Sequence, residues 1–153
     1  MSGSQYSIGK AADILHVPTS TLRYYENEGL LPSLSRTQGG MRIFSEQDIE
    51  ACKVIDCLKQ SGLSIKDIKH FMELVEQGDA SIEQRLELFE ARRDALLEEM
   101  KQLQQTLGVV EYKCWYYSEA VKHKSEAYVQ SLNEQDIPVK HQDARGYLRS
   151  HEA

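Results

Sequence analysis

The chain has 153 residues, a hydrophobic content of 41% and a formal net charge of −6, and this charge argues against a nonspecific nucleic-acid coat. This length allows one small domain plus an extension, and three prolines and nine glycines argue against a disordered chain. Because no apolar run is long enough to span a bilayer and the first residues lack the pattern of a secretory signal, we expect a cytoplasmic protein with no membrane partner.

The N-terminal third predicts two short helices joined by a tight turn and followed by a wing. Residues 7–15 space their apolar side chains as a helix does, and Val17-Pro18 interrupts the pattern. A second helix is predicted over residues 19–28, with Gly29 as its left-handed cap. Residues 33–43 are polar and contain glycines, as a two-stranded wing would. Together these elements predict a winged helix-turn-helix.

Serine caps predict the next two helices. Ser45 with Asp48 resembles a capping box, and it opens a helix that extends to about Gln60. Ser64 repeats the pattern and opens a helix through about Glu76. The third helix places apolar residues at three-residue steps, so we expect one side of it to be buried.

Residues 81–121 predict a long helix that opens with a capping box at Ser81. Its heptad positions step by four and three without a slip, and Arg93 alone among them is polar, which is the pattern of a coiled-coil seam. Such a helix is roughly 60 Å long. The small N-terminal domain cannot cover a seam of that length, so we predict that a second copy of the chain covers it in a homodimer. The alternative is an intramolecular helical hairpin broken at Gly108. Residues 122–153 predict a short polar C-terminal segment that is partly mobile.

Several motifs over residues 5–75 resemble the DNA-binding domain of the MerR family of transcription regulators. The long helix is also similar to the family's antiparallel dimerisation helix. The resemblance implies an all-α dominated fold with a small β wing, in which residues 5–76 form a winged helix-turn-helix DNA-binding domain and residues 81–121 a coiled-coil dimerisation helix. The matching residues are Tyr6-Ser7-Ile8-Gly9, Thr21-Leu22-Arg23-Tyr24-Tyr25-Glu26, Gly29-Leu30-Leu31, Arg36-Thr37, Gly40-Met41-Arg42, Phe44-Ser45, Asp48-Ile49, Gly62-Leu63-Ser64-Ile65 and Ile68.

The resemblance also implies partners and a mechanism. Two copies of the second helix would bind double-stranded promoter DNA, and distortion of an overlong promoter spacer would let RNA polymerase engage both promoter elements. The alternatives are that one of the two tyrosines of that helix serves packing and that Lys66 is merely solvated. The implied DNA contacts are Thr21, Arg23, Tyr24 and Tyr25 in the recognition helix, Arg36 and Arg42 in the wing, and Ser64, Ile65 and Lys66 in a second, helical wing.

The chain departs from the family pattern at three positions, and its DNA-binding half is not basic. His16 stands in place of a turn glycine, Pro18 in place of a Ser or Thr cap, and Met41 in place of a common wing tyrosine. By count, residues 1–70 hold eight Lys/Arg and eight Asp/Glu. DNA binding must therefore depend on a few placed cations.

The positions of the three cysteines bear on whether the protein senses a metal or a reactive small molecule. Cys52, Cys57 and Cys114 include no Cys-x-x-Cys pair, and the start of the long helix lacks the thiol of the family's soft-metal sensors, so we expect no metal and no cofactor. The segment around Cys57 resembles the family's aldehyde- and nitrosative-stress-responsive branch. This implies an electrophile- or oxidant-sensing thiol at Cys57, whose alternative is an inert, half-buried thiol. Cys52 and Cys114 are expected to pack.

Two other functions stay open at this point. Trp115, Tyr116 and Tyr117 form an aromatic cluster that serves either packing or a pocket for a small organic effector. The neutral N-terminal half also allows a helical interaction module that does not bind DNA. The five histidines are scattered, and neither a nucleophile pattern nor a phosphate-binding glycine motif is present. The sequence therefore predicts no enzyme.

Overall fold

The computed structural model describes residues 3–150, most of which are helical. The chain divides into an N-terminal unit, Met1–Arg93, and a C-terminal unit, Asp94–Ala153. The mainly helical fold with a small β wing, predicted from the sequence, is confirmed. The elements of the N-terminal unit are β1 (Gln5–Ser7), α1 (Ile8–Leu15), α2 (Thr19–Asn27), β2 (Ser35–Arg36), β3 (Arg42–Ser45), α3 (Glu46–Gln60), α4 (Ile65–Glu76), a 3₁₀ turn (Gly78–Ser81) and the start of α5 (Ile82–His123).

The wing is part of a three-stranded antiparallel sheet with the strand order β1-β3-β2. Tyr6 of β1 pairs with Phe44 of β3, and Arg36 of β2 pairs with Arg42 on the other side of that strand. The sequence predicted the two wing strands but not β1, because three residues are too few to show an alternating pattern. The pairing of β1 with β3 joins the start of the chain to the wing.

The turn between α1 and α2 keeps its geometry despite its two unusual residues. His16 adopts a φ of 55° and a ψ of 39°, the left-handed conformation that glycine supplies most easily. Pro18 is the N-cap of α2, with extended backbone angles and no side-chain cap hydrogen bond. Because proline fixes φ near the value found here, it starts this helix without a hydroxyl cap.

The helices α3 and α4 begin where their serine caps predict. The Ser45 hydroxyl accepts a hydrogen bond from the Asp48 amide at 3.1 Å, while the Asp48 carboxylate accepts one from the Ser45 amide at 2.8 Å. This is the predicted capping box. The core lies between these helices, α1, α2 and the sheet, and its most buried residues include Ala11, Leu22, Tyr25, Leu30, Phe44, Ile55 and Ile68.

The capping box predicted at Ser81 is wrong. The Ser81 side chain is fully buried, and its hydroxyl donates to the carbonyl oxygens of Leu74 and of Gly78, the latter at 3.0 Å. It therefore closes the end of α4 and the 3₁₀ turn instead of capping α5. A serine before a helical pattern signals a cap, but its hydroxyl bonds whichever backbone group the turn brings near.

The C-terminal unit contains the rest of α5, which passes through Gly108 without a break. Residues 122–153 were predicted to form a polar, partly mobile segment, but two helices form there, with a 3₁₀ turn at Glu134–Asp136 between them. These helices are α6 (Glu126–Ser131) and α7 (Val139–Ser150), and the last three residues of the chain lie outside the described range. Their apolar side chains form a second core with α5, which contains Tyr112, Tyr116, Ala120, Val129 and Ile137.

Candidate nucleic-acid interface

The helix α2 presents hydrogen-bonding side chains to solvent. Arg23 is exposed, and its Nη1 lies 3.4 Å from Thr19 Oγ1, one turn earlier on the helix. Tyr24 is 41% exposed, and Thr21 is half-buried. Guanidinium, phenol and hydroxyl groups bind phosphate oxygens and base edges, so this side of α2 is suited to DNA.

Tyr25, expected among the DNA contacts, is instead a core residue. Its side chain is 1% exposed, and its hydroxyl oxygen is buried without a hydrogen-bond partner. Burial is the main reason that its pKa is raised, and the charge of Asp56 adds to the effect. Helical spacing places neighbouring residues on different sides of α2, so only Tyr24 of the pair faces solvent.

Lys59 is a candidate DNA contact that was not among those predicted from the sequence. Its Nζ lies 5.9 Å from the ring centroid of Tyr24 and 5.9 Å from that of Tyr25. This cation–π distance places a positive charge from the last turn of α3 beside the exposed phenol of α2. The contact joins residues 35 positions apart in the chain, and no local pattern signals it.

Glu26 joins the wing arginines to α2. Arg36 Nη2 donates to Glu26 Oε1 at 2.7 Å, and Arg42 Nε donates to Glu26 Oε2. Arg36 Nη1 also donates to the Gly40 carbonyl at 2.9 Å. Desolvation works against ionisation of Glu26, but the hydrogen bonds from Arg42 and Arg36 outweigh it and lower its pKa. Both guanidinium groups are thereby held in place before any DNA arrives.

A cavity of about 500 Å³ lies beside this cluster, lined by α2, β1 and the wing. Arg23 and Arg42 both line it, as does Met41, which is 70% exposed. The cavity thus combines two cations with an exposed thioether on the wing. Both arginines are predicted DNA contacts, and the structure brings them to one cavity.

The expected second wing contributes less than its three residues suggested. Ser64 caps α4, because its hydroxyl accepts from the Asp67 amide at 3.1 Å and donates to the Asp67 carboxylate at 2.7 Å. Ile65 packs against the core, while Lys66 is exposed. Lys66 is therefore the side chain of this segment best placed to meet a phosphate.

Comparison with known proteins identifies the family. A sequence model of the MerR helix-turn-helix family of regulatory proteins matches residues 6–74, and one of the MerR DNA-binding region matches residues 50–109. A helix-turn-helix transcriptional regulator of Haemophilus influenzae, described as uncharacterized, is 38% identical over 133 residues, which cover 87% of this chain and 96% of the relative. The chain belongs to the MerR family.

Other relatives agree with this assignment. The transcriptional regulator AdhR of Bacillus subtilis is 34% identical over 92 residues, which cover 60% of this chain and 66% of AdhR. The crystal structure of HiNmlR, a MerR family regulator lacking the sensor domain and bound to promoter DNA, is 36% identical with a TM-score of 0.68. The match covers 84% of this chain and 100% of HiNmlR. These relatives are transcription regulators and not enzymes.

Most of the heptad seam of α5 is exposed, although Leu96 is half-buried. Its side chains lie on one side of the helix because they repeat every three and four residues. In the C-terminal unit, α6 and α7 cover a different side, which contains Tyr112, Tyr116 and Ala120. The exposed seam residues are Ile82, Leu86, Phe89, Met100, Leu103, Leu107, Val110, Cys114, Tyr117 and Val121.

The three thiols of this MerR chain differ in environment. Cys52 is buried in the core, and burial, aided by the charge of Asp48, raises its pKa to about 12. Cys57 is exposed in α3, and its carbonyl oxygen accepts the Ser61 amide at the end of that helix. Cys114 is exposed on the seam of α5. In a single copy of the chain, Cys57 and Cys114 are therefore accessible to solvent, while Cys52 is buried and unreactive.

The aromatic cluster of α5 does not form a single pocket. Tyr116 is buried, Trp115 is half-buried, and Tyr117 is exposed on the seam. Trp115 stacks on Tyr112 with ring centroids 6.1 Å apart, while the rings of Tyr117 and Tyr116 are nearly perpendicular, with centroids 5.0 Å apart. Consecutive helical residues point in directions about 100° apart. For that reason, the three predicted pocket residues have three different environments.

Two further observations concern residues 3–150 only. In that range, no group of three or more His, Cys, Asp or Glu side chains could hold a metal ion. No helix in the same range is long and apolar enough to cross a membrane.

Proposed function

We propose that this MerR-family protein is a homodimeric regulator that binds double-stranded promoter DNA in the cytoplasm through α2 and the wing. The observation that carries the proposal is the cavity lined by both Arg23 and Arg42, beside the exposed phenol of Tyr24. Support also comes from HiNmlR, which is 36% identical and described as bound to promoter DNA.

The charges of the interface favour a small number of phosphate contacts. Arg36 and Arg42 are partly neutralised by Glu26, so α2 and the wing together carry little net positive charge. Phosphate contacts from a few oriented side chains position a protein on DNA but give each copy limited affinity. A second copy at a fixed distance raises the affinity, because the second binding event becomes intramolecular.

The seam of α5 is the surface we assign to that second copy. A row of exposed apolar side chains along a helix of 42 residues would be costly to leave in water, and its heptad spacing fits another helix of the same kind. We expect Leu103→Glu, at the middle of the seam, to convert the dimer into a monomer in light scattering coupled to gel filtration. Gln102→Glu is the matched control next to it, off the seam, and should stay dimeric. A dimeric Leu103→Glu variant would refute the seam as the interface.

DNA binding is tested with the region upstream of the protein's own gene. Arg23→Ala should weaken binding by about tenfold, and the slope of log affinity against log salt should become shallower by about 0.9, as expected when one phosphate contact is lost. Lys140→Ala removes a cation from α7 and should change neither quantity. If Arg23→Ala binds this DNA like the unaltered protein, the alternative of a helical interaction module gains support.

We further propose that the dimer acts by distorting the promoter so that RNA polymerase can engage both promoter elements. The support is the family mechanism together with a wing that is hydrogen-bonded to α2 through Glu26. Transcription from a promoter whose spacer has been shortened to ordinary length should no longer need the protein. If it still needs the protein equally, the distortion mechanism is wrong.

For the signal, we propose Cys57 as a thiol that responds to electrophiles, aldehydes or oxidants. The exposure of Cys57 in α3 supports this role, since a thiol must be accessible to react. Cys52 is a poorer candidate, because its raised pKa keeps its thiol protonated. Cys57→Ser should abolish the transcriptional response to formaldehyde, and Cys114→Ser should keep it. An unchanged response in Cys57→Ser would contradict thiol sensing at this position without affecting the DNA-binding proposal.

A further inference from the structure

A cavity of about 250 Å³ lies within the C-terminal unit, among α5, α6 and α7. Tyr112, Tyr116 and Leu148 give it an aromatic and aliphatic wall, while Lys113, Arg145 and Arg149 supply positive charge. The residues that line it include no Asp or Glu. This composition differs from that of its surroundings, since residues 94–150 hold nine Asp/Glu against seven Lys/Arg by count.

Arg145 is the residue that points to a missing partner. Its side chain is 9% exposed, and its Nη2 donates to the Leu132 carbonyl at 3.1 Å. Its Nη1 is buried and has no hydrogen-bond partner, and no ion pair forms at its guanidinium within residues 3–150. A buried cation with an unsatisfied donor destabilises a fold, so an anionic acceptor at this position would be bound strongly.

Lys113 places a second cation at the aromatic wall. Its Nζ lies 5.1 Å from the ring centroid of Tyr116 and 5.9 Å from that of Tyr112. Both rings line the cavity, so the ammonium group is held near it, and none of the described residues that line the cavity is an Asp or Glu. A ligand that fits must therefore combine negative charge with an apolar surface that packs on tyrosine rings.

We propose that this cavity binds a small organic carboxylate with a flat, apolar body, such as an aromatic acid. The carboxylate would accept hydrogen bonds from Arg145, with Lys113 and Arg149 adding positive field, and the body would pack on Tyr112 and Tyr116. The volume is slightly below the range of drug-sized pockets, which limits the ligand to roughly ten non-hydrogen atoms. The residues of this proposed site include neither the predicted DNA contacts nor Cys57.

The only tryptophan of the chain, Trp115, stacks on Tyr112 and so reports on this cavity. The full chain is titrated at constant ionic strength with benzoate, with its neutral isostere benzamide and with inorganic phosphate. We expect saturable fluorescence change with benzoate and at least tenfold weaker binding of benzamide and of phosphate. Absence of benzoate binding, or equal affinity for benzamide, would overturn the proposal. Equal affinity for phosphate would show an unspecific anion site and would also overturn it.

Variants locate the site. Arg145→Gln should weaken benzoate binding by more than tenfold, and Lys113→Gln and Arg149→Gln by severalfold each. The last two change exposed side chains, so they test the proposal even if the buried Arg145→Gln fails to fold. Lys140→Gln makes the same change of charge on α7 away from this cavity and should bind benzoate normally. If Lys113→Gln and Arg149→Gln bind as Lys140→Gln does, the ligand is elsewhere and the proposal fails.

Discussion

Glu26 on α2 accepts a hydrogen bond from Arg42 on the wing, and this pair joins the two parts of the proposed DNA-binding surface. Arg36 adds a second hydrogen bond to the same carboxylate at 2.7 Å. A wing held in this way does not have to be ordered when DNA binds, so less conformational entropy is lost. On the proposed function, Glu26 thus supports DNA binding indirectly, by positioning the two wing arginines.

The Glu26 contacts should make stability depend on pH. Because the pKa of Glu26 is lowered in the folded protein, its contacts stabilise the fold above the usual value of 4.5 and are lost as the pH falls through the lowered pKa. At neutral pH, Glu26→Gln should lower the free energy of unfolding by about 1–2 kcal/mol, and the difference should vanish in acid. Urea denaturation across the pH range measures this, with the exposed Glu28→Gln as control. A difference that persists in acid would contradict the role of the carboxylate.

The two adjacent tyrosines of α2 should respond oppositely to loss of the hydroxyl. Tyr24→Phe removes an exposed hydroxyl and should weaken DNA binding severalfold, equivalent to about 1 kcal/mol. Tyr25→Phe removes a buried hydroxyl without a partner, so it should leave DNA affinity unchanged and leave stability equal or higher. Fluorescence anisotropy with labelled DNA and thermal unfolding measure both effects. Weaker DNA binding by a folded Tyr25→Phe variant would return that residue to the interface.

Two glycines should respond with opposite signs to alanine. Gly62 has a φ of 90°, a conformation that strains any residue with a Cβ, so Gly62→Ala should destabilise the protein by about 1–2 kcal/mol. The nearest atom to an added Cβ, Arg92 Nη2 at 2.8 Å, is the end of a flexible side chain and can move. Gly108 lies inside α5 with nothing within 4 Å of an added Cβ, so Gly108→Ala should stabilise it by up to about 1 kcal/mol. Thermal unfolding of both variants tests the contrast. A destabilised Gly108→Ala would mean that a neighbour outside this chain occupies that space.

Cys52 should be unreactive in the folded protein. With a pKa raised to about 12, its thiolate is a negligible fraction at neutral pH, and its side chain is buried. In a variant with both Cys57→Ser and Cys114→Ser, iodoacetamide should alkylate the protein only after urea is added, as mass spectrometry would show. Fast alkylation without urea would mean that the core around α3 opens readily.

The sequence by itself determined the local structure of the N-terminal unit. The serine caps at Ser45 and Ser64, the left-handed Gly29 and the spacing of apolar residues act over three or four positions, so they can be recognised without a fold. The same is true of the heptad seam of α5. The ordered motifs over residues 5–75, of which Thr21 to Glu26 is one, indicated the family.

Only the tertiary structure decided which side chains of those motifs are available. It buried Tyr25 and exposed Tyr24, paired Glu26 with two wing arginines, and turned the Ser81 hydroxyl back towards α4. It also folded the polar C-terminal segment into two helices around a cavity that contains Arg145. Burial and hydrogen bonding of these side chains depend on residues far apart in the chain. Their contribution to stability exists only once the backbone has brought those residues together.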